Sequence, residues 1–486
     1  MNYTKEKADL FIRQNKALLR DDYRLRFHLM SEYGWMNDPN GFIYYKGNYH
    51  LFYQHYPYRP YWGPMHWGHA VSRDLVAWEY LPVALAPDRD YDRDGCFSGS
   101  AVERDGKLAL LYTGHIVTGP DNKNDYMQSQ CLALSDDGVH FEKFAGNPVI
   151  PVSQIPEGAS LKDFRDPKVF ERNGCYYTVI GSNDGKERGI VLLYRSADLQ
   201  QWDFVNIIAQ GDSRLGANWE CPDLFPLEDR DVLILSPERM PAQGNDYHNG
   251  NSTVYMLGRL DTEEGKFRYD SYEPVDCGFD FYAPQTCEDS TGRRIIVGWM
   301  ENWTTEIPTQ QDHHWAGAMT LPREVVVAGD KLHFLPLEEI KRYRLSPYEV
   351  TDVELDGERM LECSGDCYEL EAVFEALDAE EFGLLLRKQG QEETVVAYRP
   401  SEQLVRFNRD RSGIGPQGER RTNVALQNGR LALRIFVDRS SVEVFIQEGE
   451  KVMTGRIYPG AQSVGIGVFA RGMCRLVSLR KWDIRV

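Results

Sequence analysis

The stretch GWMNDPNGFIYYKGNYHLFYQ, residues 34–54, contains the unit that decides the fold. Asp38 is followed by an apolar run, a short turn and a second run rich in Tyr and aliphatic residues. Two such runs joined by a short Gly-containing turn are typical of a β-hairpin. Five hairpins of this layout each begin with a marked residue at the same place: Asp38 in WMNDPNG, Ser98 in FSGS, Asp166 in FRDP, Glu220 in WECPD and Ala283 in YAPQ.

A second repeat lies between the hairpins. SRDLVAW begins at Ser72 and returns as SDDGVHF at Ser135 and SADLQQW at Ser196, at spacings of 63 and 61 residues. Each copy follows a Tyr-rich strand, so one unit predicts four antiparallel strands. Repeats of this kind are typical of propeller blades. We therefore predict an all-β chain that begins with a five-bladed β-propeller, whose first strands bring the marked residues around one central pocket.

The pattern changes after the fifth hairpin. From about Asp352 the sequence has alternating strands such as YELEAVFEA and SVEVFI, separated by Gly, Asp and Asn turns. We predict a propeller domain over residues 1–337, a linker over 338–351 and an antiparallel β-sandwich over 352–486. The sandwich sequence has no acidic triplet or Trp-rich loop. We expect it to support the propeller or to contribute to a homodimer interface.

Composition excludes several classes of function. With 55 basic and 74 acidic residues the net charge is −19, which repels nucleic acid and anionic lipid. No apolar run is long enough to span a bilayer, and the N-terminal residues lack the apolar core of a signal peptide, so we expect a cytoplasmic protein. The nine cysteines are scattered without zinc-ligand spacing. We expect free thiols, no metal and no cofactor.

Two of the marked acids suit the cleavage of a glycosidic bond, which needs one carboxylate as nucleophile and a second carboxyl group as acid and then base. Asp38 lies in an Asn-Asp-Pro-Asn-Gly sequence that predicts a tight turn, whose amides favour an ionised carboxylate. Glu220 lies between Trp219 and Cys221, and these apolar neighbours favour a proton donor. The structural alternatives are an Asp that caps its own turn and a Glu that pairs with an arginine.

The third acid, Asp166, follows Arg165 directly. A guanidinium beside a carboxylate keeps both groups ionised and able to clamp sugar hydroxyls, although a purely structural ion pair is an equal alternative. Trp62 lies in a Pro- and Gly-rich loop, where an aromatic ring can stack on a sugar, whereas Trp67 at a strand start is expected in the core. His66 and His69 are expected to be solvent-facing or structural histidines and not ligands.

Taken together and in order, WMNDPNG, WGPMHWGHA, FSGS, FRDP, ECPD, GWM and WAGAMTLPRE resemble the signatures of the β-fructofuranosidases of glycoside hydrolase family 32. The resemblance extends to LRIFVDRSSVEVFI in the sandwich and covers nearly the whole chain. It implies retaining hydrolysis of terminal β-D-fructofuranosyl bonds in sucrose, sucrose 6-phosphate or short β-fructo-oligosaccharides. It also implies that Asp38 is the nucleophile, Glu220 the acid/base and Asp166 the stabiliser of the transition state. The sugar-binding positions that it implies are Trp35, Asn37, Gln54, Trp62, Phe97, Ser98, Arg165 and Trp299.

Three alternatives stay open at this point. The same acids could transfer fructose to another sugar, or hydrolyse with inversion, and a propeller that had lost catalysis would bind sugar without turnover. The preferred substrate is also open, because a phosphorylated sugar needs local cations in this acidic chain. The candidates for such a cation are Arg59, Lys123, His248 and Arg323.

Overall fold

The computed structural model describes residues 3–486 and consists mostly of antiparallel strands. Its one α-helix in that range, α1, spans Lys5–Asn15 and begins after Thr4, whose side chain accepts a hydrogen bond from the amide of Lys7. Ala8 and Ile12 on this helix pack against the propeller. The 3₁₀ helices span Lys16–Leu18, Val152–Gln154, Ser213–Leu215, Pro308–Gln310, Glu338–Tyr343 and Pro400–Glu402. No helix among the described residues is long and apolar enough to cross a membrane.

Five sheets form the blades, as predicted, and each is built on four antiparallel strands; those of blades 1 and 4 have one further short strand. Blade 1 has β1 (Gly34–Tyr45), β2 (Asn48–Tyr56), β3 (His66–Ser72) and β4 (Trp78–Leu85). Blade 2 has β5 (Gly95–Arg104), β6 (Lys107–Val117), β7 (Tyr126–Ser135) and β8 (Glu142–Lys143), and blade 3 has β9 (Phe164–Arg172), β10 (Cys175–Asn183), β11 (Gly189–Ser196) and β12 (Asp203–Gln210).

Blade 4 has β13 (Asn218–Leu227), β14 (Arg230–Glu238), β15 (Val254–Asp261) and β16 (Lys266–Tyr269), with β17 (Glu273–Pro274) beside β15. Blade 5 begins with β18 (Tyr282–Glu288) and β19 (Arg294–Trp299) and, after β20 (Trp315–Ala316), continues with β21 (Arg323–Ala328) and β22 (Lys331–Pro336). β20 pairs in parallel with β1 of blade 1. The first strands contact one another in order, and β18 contacts β1, so the ring is closed.

The Ser-x-Asp repeat forms the turn between the third and fourth strands of blades 1 to 3. In blade 1 the hydroxyl of Ser72 accepts hydrogen bonds from the amides of Asp74 and Leu75, and the carboxylate of Asp74 accepts from the next two amides. Blade 4 has a fourth copy that the sequence pattern missed, because Asp261 takes the place of the serine. Its carboxylate accepts from the equivalent amides, and Phe267 again follows six residues later.

The second domain is a single antiparallel sheet that folds over itself into two layers. Its strands are β23 (Arg344–Ser364), β24 (Cys367–Ala376), β25 (Glu381–Gln389), β26 (Glu392–Arg399), β27 (Leu404–Arg411), β28 (Glu419–Asn423), β29 (Arg430–Asp438), β30 (Ser441–Ile446), β31 (Lys451–Arg456) and β32 (Gly465–Ile484). The long β32 pairs with β25 through one half and with β24 through the other, so it belongs to both layers. An apolar core fills the space between them, as predicted for a sandwich.

The predicted linker over 338–351 is wrong in its second half. Residues 338–343 are a 3₁₀ helix, but β23 already begins at Arg344, which pairs with Ile484 of β32. The polar pattern of this strand, which is exposed along much of its length, concealed it. We therefore propose that the domains meet at residues 337–343. Residues 1 and 2 of the predicted propeller span lie outside the described residues.

The two domains share an interface with buried charges. Arg323 of β21 is fully buried and forms ion pairs with Asp276 at 2.9 Å and with Glu443 of β30 at 2.7 Å. His28 lies between Glu443 and Asp438 of the sandwich, at 2.9 and 2.8 Å. Each of these buried charges has an oppositely charged partner, which offsets the free-energy cost of removing it from water. The sandwich is thus fixed against blades 4 and 5.

Candidate active site

A cavity of about 540 Å³ opens at the end of the propeller axis where the first strands begin. A cavity of this volume can hold a small sugar. Nine of the predicted site residues line it: Asn37, Asp38, Gln54, Trp62, Phe97, Ser98, Arg165, Asp166 and Glu220. Lys123, a candidate phosphate-binding cation, also lines it. The other lining residues were not predicted as site residues: His115, Asn122, Tyr126, Gln128, Glu238, Asn251 and Trp303.

A β-bulge interrupts the first strand of every blade at the marked position. The pairing register shifts between Met36 and Pro39 in β1 and between Phe97 and Gly99 in β5, and the other three blades have the equivalent shift. Bulges redirect side chains and are frequent beside active sites. A proline directly follows the marked residue in blades 1, 3 and 5 and comes one residue later in blade 4, at a position where no ladder hydrogen bond is needed. The marked residues therefore recur at the same place in each hairpin because each first strand has a bulge there.

The bulges also correct the position of Glu220. In blade 4 the residue before the proline is Cys221, so Glu220 lies one place earlier than the other marked residues. Two tiers of side chains result. The inner tier consists of Asp38, Ser98, Asp166, Cys221 and Ala283, and the outer tier consists of the residues before them, Asn37, Phe97, Arg165, Glu220 and Tyr282.

Asp38 is held by side chains and not by the amides of a tight turn, because its motif lies within β1. Its carboxylate accepts hydrogen bonds from the hydroxyl of Ser98 at 2.6 Å and the amide group of Asn37 at 3.1 Å, and the thiol of Cys221 lies 3.6 Å away. Burial raises the pKa of Asp38 to about 6, the charge of Glu220 adds to this rise, and the three donors oppose it. Side-chain donors thus take the place of the turn amides that the sequence predicted to favour an ionised Asp38.

Asp166 faces the same thiol from the other side. Its Oδ2 accepts from the backbone N–H of Cys221 at 2.9 Å and lies 3.5 Å from the Sγ atom of that residue. Burial raises the pKa of Asp166 to about 7; the charge of Arg165 opposes this rise, and those of Glu220 and Asp38 add to it. One thiol thus separates two acids whose pKa values are both raised.

Arg165 does not form the expected clamp with Asp166. Its guanidinium binds Glu220 Oε1 at 3.0 Å and Asp163 Oδ1 at 2.6 Å, and Glu238 lies 3.7 Å from it. The hydroxyl of Tyr282 donates to the other oxygen of Glu220 at 2.6 Å.

These contacts replace the apolar surroundings that the sequence predicted for Glu220. Trp219 points away from the cavity and is buried in the core between blades 3 and 4. Cys221 lies in the inner tier. The acid at position 220 therefore has two polar partners instead of two apolar ones.

Trp35 and Trp299 do not line the cavity, although both were predicted to bind sugar. Both are buried, and both rings contact Trp303, which is 40% exposed in the cavity wall. The indole N–H of Trp35 also donates to Asn37 at 2.6 Å. These two tryptophans therefore support lining residues from behind. Trp67, His66 and His69 are buried, as a structural role requires.

The aromatic wall on the other side is built as a stack. Trp62 is 46% exposed and meets the ring of Phe97 edge-on, with centroids 5.9 Å apart. Phe97 in turn stacks on His115 at 4.1 Å with its ring nearly parallel. Burial, followed by the charge of Arg165, lowers the pKa of His115 to about 4, so this ring is neutral at pH 7. A flat face that holds no charge suits the apolar side of a sugar.

The most important acid that the sequence analysis missed is Glu238. It ends β14, directly opposite Asn218 at the start of β13. Burial, followed by the charge of Glu220, raises the pKa of Glu238 to about 7. The hairpin layout could have indicated Glu238, because the end of the second strand lies beside the start of the first strand, where the site residues are. His115 of β6 occupies the corresponding end in blade 2, opposite Gly95.

The four candidate phosphate-binding cations differ in their position relative to the cavity. Lys123 lines the cavity, on the loop between β6 and β7. Arg323 is buried at the domain interface, and Arg59 and His248 lie outside the cavity lining.

The arrangement combines four carboxyl groups, one buried guanidinium and two aromatic walls around a sugar-sized space. Burial and the neighbouring negative charges raise the pKa values of Asp38, Asp166 and Glu238, which favours their protonated forms. The cavity can therefore contain both ionised and protonated carboxyl groups, which the acid-base cleavage of a glycosidic bond requires.

Comparison with known proteins matches the whole of this architecture. The family model for the glycosyl hydrolases family 32 N-terminal domain matches residues 28–336, and that for the family 32 C-terminal domain matches residues 339–483. A sucrose-6-phosphate hydrolase of Zymomonas mobilis is 40% identical over 97% of this chain and 94% of its own length. A raffinose invertase of Escherichia coli is 40% identical over 91% of each chain. A mutant Bombyx mori GH32 β-fructofuranosidase in complex with sucrose superposes with a TM-score of 0.86 at 36% identity, over 99% of this chain and 98% of the other.

Proposed function

This chain belongs to glycoside hydrolase family 32 and hydrolyses fructosides, and we propose that Asp38 is its nucleophile and Glu220 its acid/base. The observation that carries these roles is the position of the two acids. They enter one cavity from β1 and β13, and each has partners suited to its task. Asp38 has donors that stabilise a carboxylate, whereas Glu220 has a partner that can change its hydrogen bond.

That partner is Tyr282. Its hydroxyl lies 2.6 Å from Glu220 Oε2 and 3.1 Å from the carbonyl oxygen of Ser236. When Glu220 is ionised, the hydroxyl donates to the carboxylate. When Glu220 carries a proton, the hydroxyl can donate to the carbonyl instead. Glu220 can therefore alternate between acid and base without a change in the fold.

In the first step, the carboxylate of Asp38 attacks the anomeric carbon of the fructosyl group while Glu220 gives its proton to the departing oxygen. The glycosidic bond breaks, an alcohol leaves, and an ester joins fructose to Asp38. In the second step Glu220 takes a proton from water, whose oxygen attacks the same carbon and releases Asp38. Two displacements retain the anomeric configuration.

Asp166 is proposed to bind the fructosyl hydroxyls. Both hydrogen bonds that its carboxylate accepts within the described part of the chain reach Oδ2, which leaves Oδ1 for a sugar hydroxyl. A bond from that hydroxyl strengthens as positive charge develops on the sugar in the transition state. Phe97, Trp62 and Gln54 are proposed to contact the sugar from the other walls.

The proposed substrates are sucrose and its 6-phosphate. The cavity volume fits a disaccharide, and Lys123 is the one cation besides Arg165 among the described residues that line it. The charge of Arg165 is already matched by acids. The Zymomonas mobilis relative is named for the phosphorylated sugar and the Escherichia coli relative for an invertase. The cytoplasmic location and the homodimer stay predictions.

The proposal is tested with Asp38→Asn and Glu220→Gln. Each should lower kcat on sucrose by at least about a thousandfold while the melting temperature stays within a few degrees of wild type. Asp229→Asn is the matched control, since this acid is exposed on the outside of blade 4 and should have no effect. Turnover near the wild-type rate in either variant contradicts the assigned roles. NMR of the first product formed should show β-fructofuranose, whereas the α-anomer would show inversion.

A further inference from the structure

Two loops form one side of the cavity mouth. The first covers residues 239–253, between β14 and β15, and carries Asn251 into the cavity wall. The second covers residues 300–314, between β19 and β20, and carries Trp303 into the same wall. Both loops lie at the mouth and away from the inner tier, where Asp166 is buried and Asp38 is partly buried.

The loops are joined to each other by side chains. The amide group of Asn302 donates to the carbonyl oxygen of Asn251 at 3.2 Å, and the hydroxyl of Thr304 donates to that of Asn249 at 3.4 Å. Neither loop belongs to a sheet ladder over these residues. Side-chain contacts therefore add to the few backbone hydrogen bonds that hold the loops in place.

The strongest of these contacts comes from the other domain. Arg420 of β28, in the sandwich, donates from Nε and Nη2 to Oδ1 of Asn249 at 2.8 and 2.7 Å. Asn249 uses its Nδ2 atom to donate to the carbonyl of Gly278 at 3.0 Å, which fixes the direction of its amide. The guanidinium lies over the ring of Phe279, 4.5 Å from the centroid. Charge-assisted pairs of donors on one acceptor are both strong and directional.

A second sandwich arginine holds the second loop. Arg456 of β31 donates from Nη1 to Oε1 of Glu301 at 2.8 Å, and both side chains are fully buried. Glu301 precedes Trp303 by two residues. Each loop of the mouth is thus fastened to the sandwich by one arginine.

We infer that Arg420 is a positioning residue for the leaving group, and that through it the sandwich domain sets how tightly the enzyme binds the part of the substrate beyond fructose. The inference rests on the proposed function, in which the inner tier receives the fructosyl group. Asn251 and Trp303 then face whatever is attached to it. Arg420 acts on that part through Asn249 and touches neither the acids nor the sugar.

The test compares two fructosides that differ only in the leaving group: sucrose, and methyl β-D-fructofuranoside, whose leaving group is methanol. Arg420→Ala should lower kcat/KM on sucrose about tenfold, mainly through a higher KM, and should change kcat/KM on the methyl fructoside by less than about twofold. Arg421→Ala is the matched control, because Arg421 is the next residue of β28, is exposed and pairs only with Glu419. It should match wild type on both substrates.

A merely structural role for Arg420 predicts a different result. Partial unfolding would lower kcat by the same factor on both substrates and leave KM unchanged, and that outcome overturns the inference. So does wild-type behaviour of Arg420→Ala on sucrose. Asn249→Ala should reproduce the rise in KM for sucrose, and the double variant should be no worse than either single variant, because both remove the same contact. Failure of the proposed function itself is seen separately, as persistent turnover by Asp38→Asn.

Discussion

The hydroxyl of Ser98 in blade 2 donates a 2.6 Å hydrogen bond to Oδ2 of Asp38 in blade 1. It is the shortest of the contacts that oppose the rise in the pKa of this buried carboxyl group, which reaches about 6. Both residues occupy bulges of the inner tier, so the repeated backbone geometry of neighbouring blades creates the contact. The protonation state of the proposed nucleophile is thus controlled across a blade boundary.

Activity should fall on acidification at an unusually high pH. Asp38 must be ionised to attack, and its pKa is raised from 3.8 to about 6, so the nucleophile becomes protonated as the pH drops through 6. We expect kcat/KM on sucrose to show its acidic limb near pH 6 and to lose about tenfold for each further unit. A pH–rate profile from pH 4 to 8 measures this. A limb near pH 4 would show that the carboxyl group behaves as if exposed.

Ser98→Ala should move that limb upward. A hydrogen bond to a charged group contributes roughly 1.5 kcal/mol, and one pKa unit corresponds to about 1.4 kcal/mol, so the shift should be about one unit. Ser100→Ala is the matched control from the same strand. Its hydroxyl bonds to backbone atoms of Pro167 and Val169, so that change should lower stability and leave the limb in place. Equal profiles for wild type and Ser98→Ala would contradict the role given to Ser98.

The sequence predicted the fold well because its signals are local. Every blade repeats one hairpin and blades 1 to 4 repeat one capped turn, and both depend on residues that are close in the chain. The turn of blade 4 was not predicted, because Asp261 replaces the serine while accepting the same two backbone hydrogen bonds. The start of β23 was missed because an exposed, charged strand does not alternate clearly between apolar and polar residues.

Nine of the eleven residues predicted for the site line the cavity, but the contacts between them were not predicted. Glu220 was placed at the shared offset, whereas the bulge aligns Cys221 there, and the proline that follows was the readable signal. Arg165 was predicted to pair with Asp166, the next residue in the chain. Its side chain points instead towards Glu220 and Asp163 and binds both. Adjacent residues of a strand point to opposite faces, so adjacency in sequence is a poor guide to pairing.

Lys123 should matter only for a phosphorylated substrate. Its ammonium group lies on a loop that lines the cavity, and it can attract a phosphate on the leaving group. We expect Lys123→Ala to lower kcat/KM on sucrose 6-phosphate about fivefold at low salt, to change sucrose by less than about twofold, and to show a smaller difference at high salt. Lys162→Ala, an exposed lysine outside the cavity lining, is the control. Equal effects on both substrates would show that Lys123 does not distinguish them.

Two neighbouring acids should affect stability in opposite directions. The folded-state pKa of Asp166 is raised to about 7, so the ionised group destabilises the fold above that pH, and Asp166→Asn should raise the melting temperature at pH 8 by about 1 to 3 °C while removing activity.

Burial raises the pKa of Asp163 as well, but the charge of Arg165 outweighs it and lowers the value to about 2. The ionised form of Asp163 therefore stabilises the fold above pH 4, and this stabilisation is lost as the pH falls through 2. Asp163→Asn should accordingly lower the melting temperature at pH 8. Thermal unfolding of both variants at pH 5 and pH 8 checks the signs, and the gain for Asp166→Asn should shrink at pH 5, where wild-type Asp166 is already protonated. A fall in melting temperature for Asp166→Asn at pH 8 would show that its contacts with Cys221 outweigh the repulsion between the acids.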